Sequence, residues 1–399
     1  MKIGIIKERK VPVDHRVPFT PEQCKSLKEQ YPSIELVVEP SDVRCFSDEE
    51  YKAQGIVLQD DLKDCDVLMG VKEVPGNELI DGKVYFFFSH TAKQQPYNRA
   101  LLQTILKKNV QIVDYEYLST EQGRVVAFGR FAGIVGAYNG LLTYGEKFNL
   151  FSLKPANKCY DMVEMWSEFT KVKLPNIKIL LTGAGRVSSG AVEVLKGVGI
   201  KEVSVHEYLN STFDEAVFTQ VDTQDYNRHV EGVKFDRNEF HNDPANYEAD
   251  FHRFIEHTDL LIAGAYWDPN APVLFTEEDV MSDSFPIKVI ADITCDIQGS
   301  IPTTLRPSTI ADPVYDIVKG NVEEVSAYVL NDTISVMAVD NLPCEVPRDA
   351  SLSFGSQLIE NVMPSLIKGG NDLIDRASIT TLKGQLNSHF DYLSSFIKG

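Results

Sequence analysis

Ile177-Lys178-Ile179-Leu180-Leu181-Thr182-Gly183-Ala184-Gly185-Arg186-Val187-Ser188-Ser189-Gly190-Ala191 is the stretch on which the fold turns. Five residues of mostly apolar strand character run into a glycine turn, and the turn runs into the amphipathic segment Val192–Val198. Gly183 permits a tight turn, Gly185 lets a pyrophosphate approach the backbone, and the unpaired N–H groups of a following helix favour an anion. The third glycine of the usual G-x-G-x-x-G falls on Ser188, with Gly190 and Ala191 supplying small residues just beyond. Glu207, 24 residues after Gly183, is expected at the end of the next strand, where a carboxylate binds the adenosine ribose and favours NAD. His206 and Arg186 nearby keep NADP as the alternative.

Outward from that turn, the second half reads as one alternating strand–helix unit. Strands are expected at Ile177–Leu181, Glu202–His206, Leu260–Ala263 and Val289–Ile293. Between the second and third lies a long connection, 210–257, with eleven Asp or Glu against four Lys or Arg and four of the eight histidines. Those histidines (229, 241, 252, 257) lack tight ligand spacing, so the segment is expected to be a solvated insertion with no metal.

The first 135 residues alternate in the same way. Expected strands are Lys2–Ile6, Glu35–Val38, Asp66–Val71, Val84–Phe88 and Val110–Val113, with a helix at Pro21–Gln30 capped by Thr20. Alternation of this kind predicts parallel sheets covered by helices on both faces. From Gly133 a small-residue run is read as a long helix packed closely between two domains. The last seventy residues are expected to start with a strand at Ile334–Val339, continue as a helix over Phe354–Ile367 and pack back on the first domain. The expected division is 1–135 with 331–399, and 136–330 as the dinucleotide-binding domain.

Composition bounds the function. At 43% hydrophobic and 24% charged the chain is an ordinary globular protein. A formal net charge of −19 argues against nucleic acid and anionic membrane as partners. It equally repels a dinucleotide or a dicarboxylate, so a site for either must carry its own cations. Six scattered cysteines without a C-x-x-C pair suggest neither disulfides nor zinc. The apolar run at the N-terminus is too short for a signal peptide, and the expectation is a cytoplasmic protein, monomeric or a small homo-oligomer.

Cations do appear at expected strand ends. Lys72 follows one strand in Gly70-Val71-Lys72-Glu73, and His90 follows the neighbouring one in Phe88-Ser89-His90-Thr91. In a parallel sheet both ends open on one edge, so the two form a candidate acid–base pair. Arg16 and Arg124 sit in expected loops from which either could clamp a carboxylate.

The set resembles the alanine dehydrogenase, transhydrogenase and saccharopine dehydrogenase superfamily. The resemblance rests on Gly4-Ile5-Ile6-Lys7-Glu8 followed by Arg16-Val17-Pro18-Phe19-Thr20-Pro21, on Val71-Lys72-Glu73, and on Ser89-His90-Thr91-Ala92. Within it the chain is most similar to the lysine-forming saccharopine dehydrogenases and to the lysine–2-oxoglutarate reductase half of aminoadipic semialdehyde synthase. Thr182–Ala191, Gly264-Ala265-Tyr266-Trp267, Ala291-Asp292 through Asp296, and Val339-Asp340-Asn341-Leu342-Pro343 carry that closer likeness. Arg130, where related chains often place an aromatic residue after Phe128-Gly129, departs from it.

The resemblance implies two Rossmann-like domains with the active site in the cleft between them. It also implies an NAD(P)-dependent oxidoreductase interconverting saccharopine with lysine and 2-oxoglutarate, the alternative being an alanine-dehydrogenase-type enzyme. Lys72 would be the base and His90 the second proton carrier. Arg16, Lys72, Glu73, Arg124, Phe128 and Asp296 would meet the substrate. Gly183, Gly185, Arg186, Val187, Glu207, Gly264, Tyr266 and Asp292 would meet the cofactor.

Overall fold

The computed structural model describes residues 1–282, 284–369 and 372–398. Its chain forms two compact units, Met1–Phe128 with Pro347–Gly399, and Gly129–Val346.

In the first unit six strands form one parallel sheet: β1 (Lys2–Ile5), β2 (Glu35–Val38), β3 (Val57–Leu58), β4 (Val67–Lys72), β5 (Val84–Phe88) and β6 (Gln111–Asp114). Their order, β3-β2-β1-β4-β5-β6, is that of a doubly wound sheet, whose order reverses between β1 and β4. The central strands are strongly apolar, with Leu68, Met69, Phe86 and Phe87 fully buried. The helix Pro21–Gln30 opens with a capping box in which Thr20 Oγ1 accepts from Gln23 N, and Pro21 takes the first turn where no N–H is needed. A short hairpin, β7 (Ser119–Thr120) and β8 (Gly123–Arg124), follows β6. The returning segment supplies the helix Pro347–Asn361, and Phe390, Leu393 and Phe396 close the core over Leu102 and Ile105.

The second unit is built on β9 (Lys178–Thr182), β10 (Lys201–Glu202), β11 (Val217–Val221), β14 (Leu260–Ala263), β15 (Val289–Asp292), β16 (Val314–Val318), β17 (Glu323–Ser326) and β18 (Thr333–Met337). A small antiparallel pair, β12 (Asn227–His229) and β13 (Tyr247–Ala249), lies in the long connection. The main sheet is ordered β10-β11-β9-β14-β15-β18-β16-β17, parallel from β10 to β18, with β16 antiparallel to both its neighbours.

Three expectations change here. Residues 202–206 do not form a strand. Only Lys201–Glu202 pair, and Ser204 with Glu207 makes a capping box that starts the helix Val205–Asn210. The acidic connection is not wholly solvated: Val217, Phe218 and Thr219 are buried in β11, the strand that lies directly beside β9. The strand Thr333–Met337 belongs to the second unit, because it pairs with β15 and β16, so the chain returns to the first unit at Pro347.

The long helix Gly129–Lys147 belongs to the second unit and packs on the helix Arg186–Val198. Their backbones touch at Gly133 and Gly190. A methyl group on Gly133 would overlap the Val187 carbonyl and lie 2.9 Å from Ala191 N; one on Gly190 would overlap the Arg130 carbonyl. Gly190 thus serves a helix–helix crossing. The helix–strand contact is made by Ser188, whose buried Oγ donates to Thr182 O at 2.9 Å.

Candidate active site

In the first unit the candidate residues gather at the carboxyl ends of β1, β4 and β5, the edge on which doubly wound sheets bind ligands. After β1 the chain turns so that Glu8 accepts from Val71 N (2.6 Å) and Lys72 N (2.9 Å). These bonds fall where the β4–β5 register slips, between Met69 and Lys72. Such an irregularity bends a strand and re-aims its side chains. The Lys72 ammonium is held below its ordinary value by burial and then by the Arg16 guanidinium, against the opposing pull of Asp14.

His90 sits just beyond β5 in a left-handed conformation (φ 54°), uncommon for a residue with a side chain. Neighbouring bonds enforce it. Ser89 donates to the buried Asp114 carboxylate from both N (2.9 Å) and Oγ (2.5 Å), and Asn98 Nδ2 donates to His90 O at 3.1 Å. Glu73 lies 3.7 Å from His90 Nδ1 and 2.7 Å from Lys10 Nζ. Burial would raise the Glu73 carboxyl, but His90 and Lys10 outweigh it and hold the group at about 2. At 3.7 Å the His90 contact is too long for a hydrogen bond, and Glu73 Oε2 has no hydrogen-bond donor among the described residues.

Arg16 is not a solvated loop residue. It is 3% exposed, forks onto Asp14 through Nε (3.0 Å) and Nη2 (2.6 Å), and lies 4.2 Å from the centre of the Phe128 ring. Phe128 stacks on Phe354 at 4.4 Å. Arg124 stands apart on the exposed hairpin strand β8, with Glu116 at 4.0 Å. The first unit therefore joins Lys72, Glu73 and His90, with Arg16 and Phe128 forming a second, charge-paired group.

In the second unit the glycine turn has the form a pyrophosphate needs. Gly183 has φ +95°, and a methyl there would meet Ser188 Oγ at 2.7 Å and Ala265 Cα at 2.9 Å. A methyl on Gly185 would meet nothing within 4 Å, so open space lies over the start of the helix Arg186–Val198, whose first turn receives no side-chain cap. Those N–H groups and that space fit a dinucleotide phosphate. Arg186 is exposed and Val187 half-buried in the same turn. Gly264 N donates to Thr182 Oγ1 at 3.2 Å, which ties the end of β14 to the turn.

A model described as alanine dehydrogenase/PNT, N-terminal domain, matches residues 4–135, and one described as alanine dehydrogenase/PNT, C-terminal domain, matches residues 162–387. The chain belongs to the alanine dehydrogenase/PNT family. Among its relatives in this family is the mitochondrial alpha-aminoadipic semialdehyde synthase of Rattus norvegicus, 28% identical over 95% of this chain and 46% of that protein. The chain thus spans less than half the length of that relative. A saccharopine dehydrogenase [NAD(+), L-lysine-forming] of Emericella nidulans is 26% identical, with 92% of each chain covered. Two solved structures share the fold: an L-alanine dehydrogenase (TM-score 0.65, 17% identity, 100% of this chain and 99% of that) and a transhydrogenase from Sinorhizobium meliloti (0.63, 16%, 97% and 100%).

Dehydrogenases of the alanine dehydrogenase/PNT family use nicotinamide cofactors, and the remaining expected residues are placed unevenly for one. Tyr266 is 80% exposed beyond β14, and Asp296 is exposed in the loop after β15. Asp292 is turned inward instead of toward a ligand: it accepts from Thr294 N and Oγ1, Cys295 N and Thr304 Oγ1 and so pins its own loop. Glu207 also has a local duty, since its carboxylate accepts from Ser204 N (2.9 Å) and Oγ (2.7 Å), one strand further out than a ribose-binding acid should be. Arg130 pairs with Glu193 through two bonds of 2.6 Å. Sequence reasoning passed over Glu8, Asp14 and Asp114, which hold Lys72, Arg16 and Ser89. The first stands in the quoted Lys7-Glu8 signature and the second two residues before Arg16; nothing local marks Asp114.

Proposed function

We propose that the chain is an NAD(P)-dependent oxidoreductase that interconverts saccharopine with L-lysine and 2-oxoglutarate. The reaction class is supported by one observation above all: a lysine with its ammonium depressed by burial ends β4, while a histidine held beside Glu73 ends the adjacent β5. The substrate is supported by the lysine-forming relatives, one of which matches this chain across nine-tenths of both lengths.

The bound nicotinamide would accept or supply the hydride; the protein's part is binding and proton handling. In the direction of saccharopine breakdown, Lys72 takes the proton from the secondary amine nitrogen as the adjacent C–H loses hydride, leaving a C=N bond between the two halves. Water adds to that carbon with His90 taking its proton. His90 returns that proton to the nitrogen, and the C–N bond then breaks as the remaining hydroxyl proton of the adduct also passes to the nitrogen, releasing the lysine ε-amine and the ketone of 2-oxoglutarate. A neutral amine on Lys72 is needed for the first step, and its depressed ammonium brings that form toward neutral pH. Arg16, held by Asp14 and backed by Phe128, is the guanidinium at this edge that would meet a substrate carboxylate.

The discriminating experiment follows reduced cofactor at 340 nm with two substrate pairs. Oxidation with lysine plus 2-oxoglutarate and none with ammonium plus pyruvate supports the proposal. The reverse pattern replaces it with an alanine-dehydrogenase-type activity.

A further inference from the structure

We propose that Asp222, paired with Arg237, is the carboxylate that selects NAD over NADP, in place of the nearer Glu207. The inference rests on the nicotinamide-cofactor reading above and adds which cofactor the site takes.

In a doubly wound sheet the acid that meets the adenosine ribose ends the strand beside the glycine-turn strand. Here that strand is β11, parallel to β9 with Val221 opposite Thr182, while the two-residue β10 lies outside it at the sheet edge. The end of β11 is stitched to the turn: Gly183 N donates to Val221 O at 2.7 Å, and Gln220 Nε2 donates to Gly183 O at 2.8 Å. Asp222 is the next residue. Thr182, Thr223, Tyr226, Ala265, Tyr266 and Trp267 then line one narrow crevice between the ends of β11, β9 and β14, the side on which an adenosine would be held.

Asp222 is half-buried, and its carboxylate accepts from Thr223 N at 2.8 Å and from Arg237 Nη2. Opposite charges thus stand together beside the place where a bound NAD would present a hydroxyl and NADP a phosphate. The carboxylate accepts from a 2′-hydroxyl and repels a 2′-phosphate. The exposed Arg237 would attract that phosphate, but the pairing with Asp222 occupies it. Removing one partner of the pair should therefore move cofactor choice in opposite directions.

The test is equilibrium binding of NADH and NADPH to the intact chain, read by nicotinamide fluorescence, for wild type, Asp222→Asn, Arg237→Ala and Glu207→Gln. Wild type is expected to bind NADH at least about tenfold more tightly. Asp222→Asn, which keeps a helix-capping side chain, should narrow that ratio by about tenfold or more, chiefly through tighter NADPH. Arg237→Ala should widen it, and Glu207→Gln should leave it unchanged. A wild-type preference for NADPH, an unaltered ratio in Asp222→Asn, or a shift in Glu207→Gln would overturn the assignment while leaving the cofactor reading intact. Folded wild type binding neither dinucleotide would overturn both. If Asp222→Asn fails to fold, the opposite shift in Arg237→Ala still decides, since it leaves the carboxylate in place.

Discussion

Gly133→Ala should destabilise the second unit, although alanine in place of glycine inside a helix normally gains about 1 kcal/mol. The reason is the crossing of the helices Gly129–Lys147 and Arg186–Val198. The added methyl would overlap the Val187 carbonyl oxygen and sit 2.7 Å from its carbon, at least 0.7 Å short of the 3.4 Å at which ordinary contact begins. The obstacle is backbone, so no rotamer change relieves it, and the helices must part. Overpacking of this kind costs about 1–3 kcal/mol, and a rigid backbone neighbour puts this site at the upper end. The net loss should therefore be about 2 kcal/mol. Gly190→Ala meets the Arg130 carbonyl on the same crossing. One separation relieves both clashes, so the double variant should cost less than the two singles together. Gly129, on the same helix, has its nearest atoms at 3.5 Å, and Gly129→Ala should be neutral or slightly stabilising. Urea unfolding followed by far-UV circular dichroism, with midpoints compared at constant slope, measures all four. A Gly133→Ala protein as resistant to urea as wild type would refute the close crossing.

Other consequences concern the site and its surroundings. Gly185→Ala fills only open space, so it should leave stability within about 1 kcal/mol while weakening dinucleotide binding about tenfold or more, measured by titration calorimetry. Lys72→Met and His90→Gln should each lower kcat by about a hundredfold or more with the circular dichroism spectrum unchanged, and near wild-type turnover in both would remove them from the chemistry. Glu345, buried and accepting from Asn139 Nδ2 at 2.9 Å, is pushed up to about 7 by burial. A raised carboxyl stabilises the fold fully below its unfolded value near 4.5, and that contribution is lost as pH rises toward 7. Glu345→Gln keeps the acceptor without the charge, so its stability relative to wild type should grow by up to about 3 kcal/mol between pH 4.5 and 8. Parallel pH curves for the two proteins would contradict this.

The parts of the fold legible in the sequence are those set by local pattern. Leu260–Ala263 and Val289–Asp292 are short apolar runs bounded by polar residues, and each is a strand of the second unit. Lys72 and His90 could be placed at strand ends because the residues before them, Val67–Val71 and Val84–Phe88, are so strongly apolar. Where the reading failed, a non-local or competing effect decided. At 202–206 the Ser204–Glu207 capping box outweighed the β-branched residues and made a helix, so counting along the chain to Glu207 reached the wrong strand. Asp222 lay hidden in the acidic connection, because only pairing with β9 shows that Val217–Val221 is a central strand. The strand expected at Ile334–Val339 was placed with the first unit, since nothing local reveals that the observed Thr333–Met337 pairs with β15 and β16. Arg16 was legible as a cation, but not its burial under the Phe128 ring, which lies more than a hundred positions away along the chain.

The claim that two substrates are joined through nitrogen can be tested on the atom concerned. Lysine labelled with 15N at the ε position is incubated with 2-oxoglutarate and reduced cofactor, and the products are weighed by mass spectrometry. The expected product combines one lysine and one 2-oxoglutarate, retains the label and appears in step with cofactor oxidation. Cofactor oxidised only when free ammonium is supplied, with all the label still in lysine, would contradict the account.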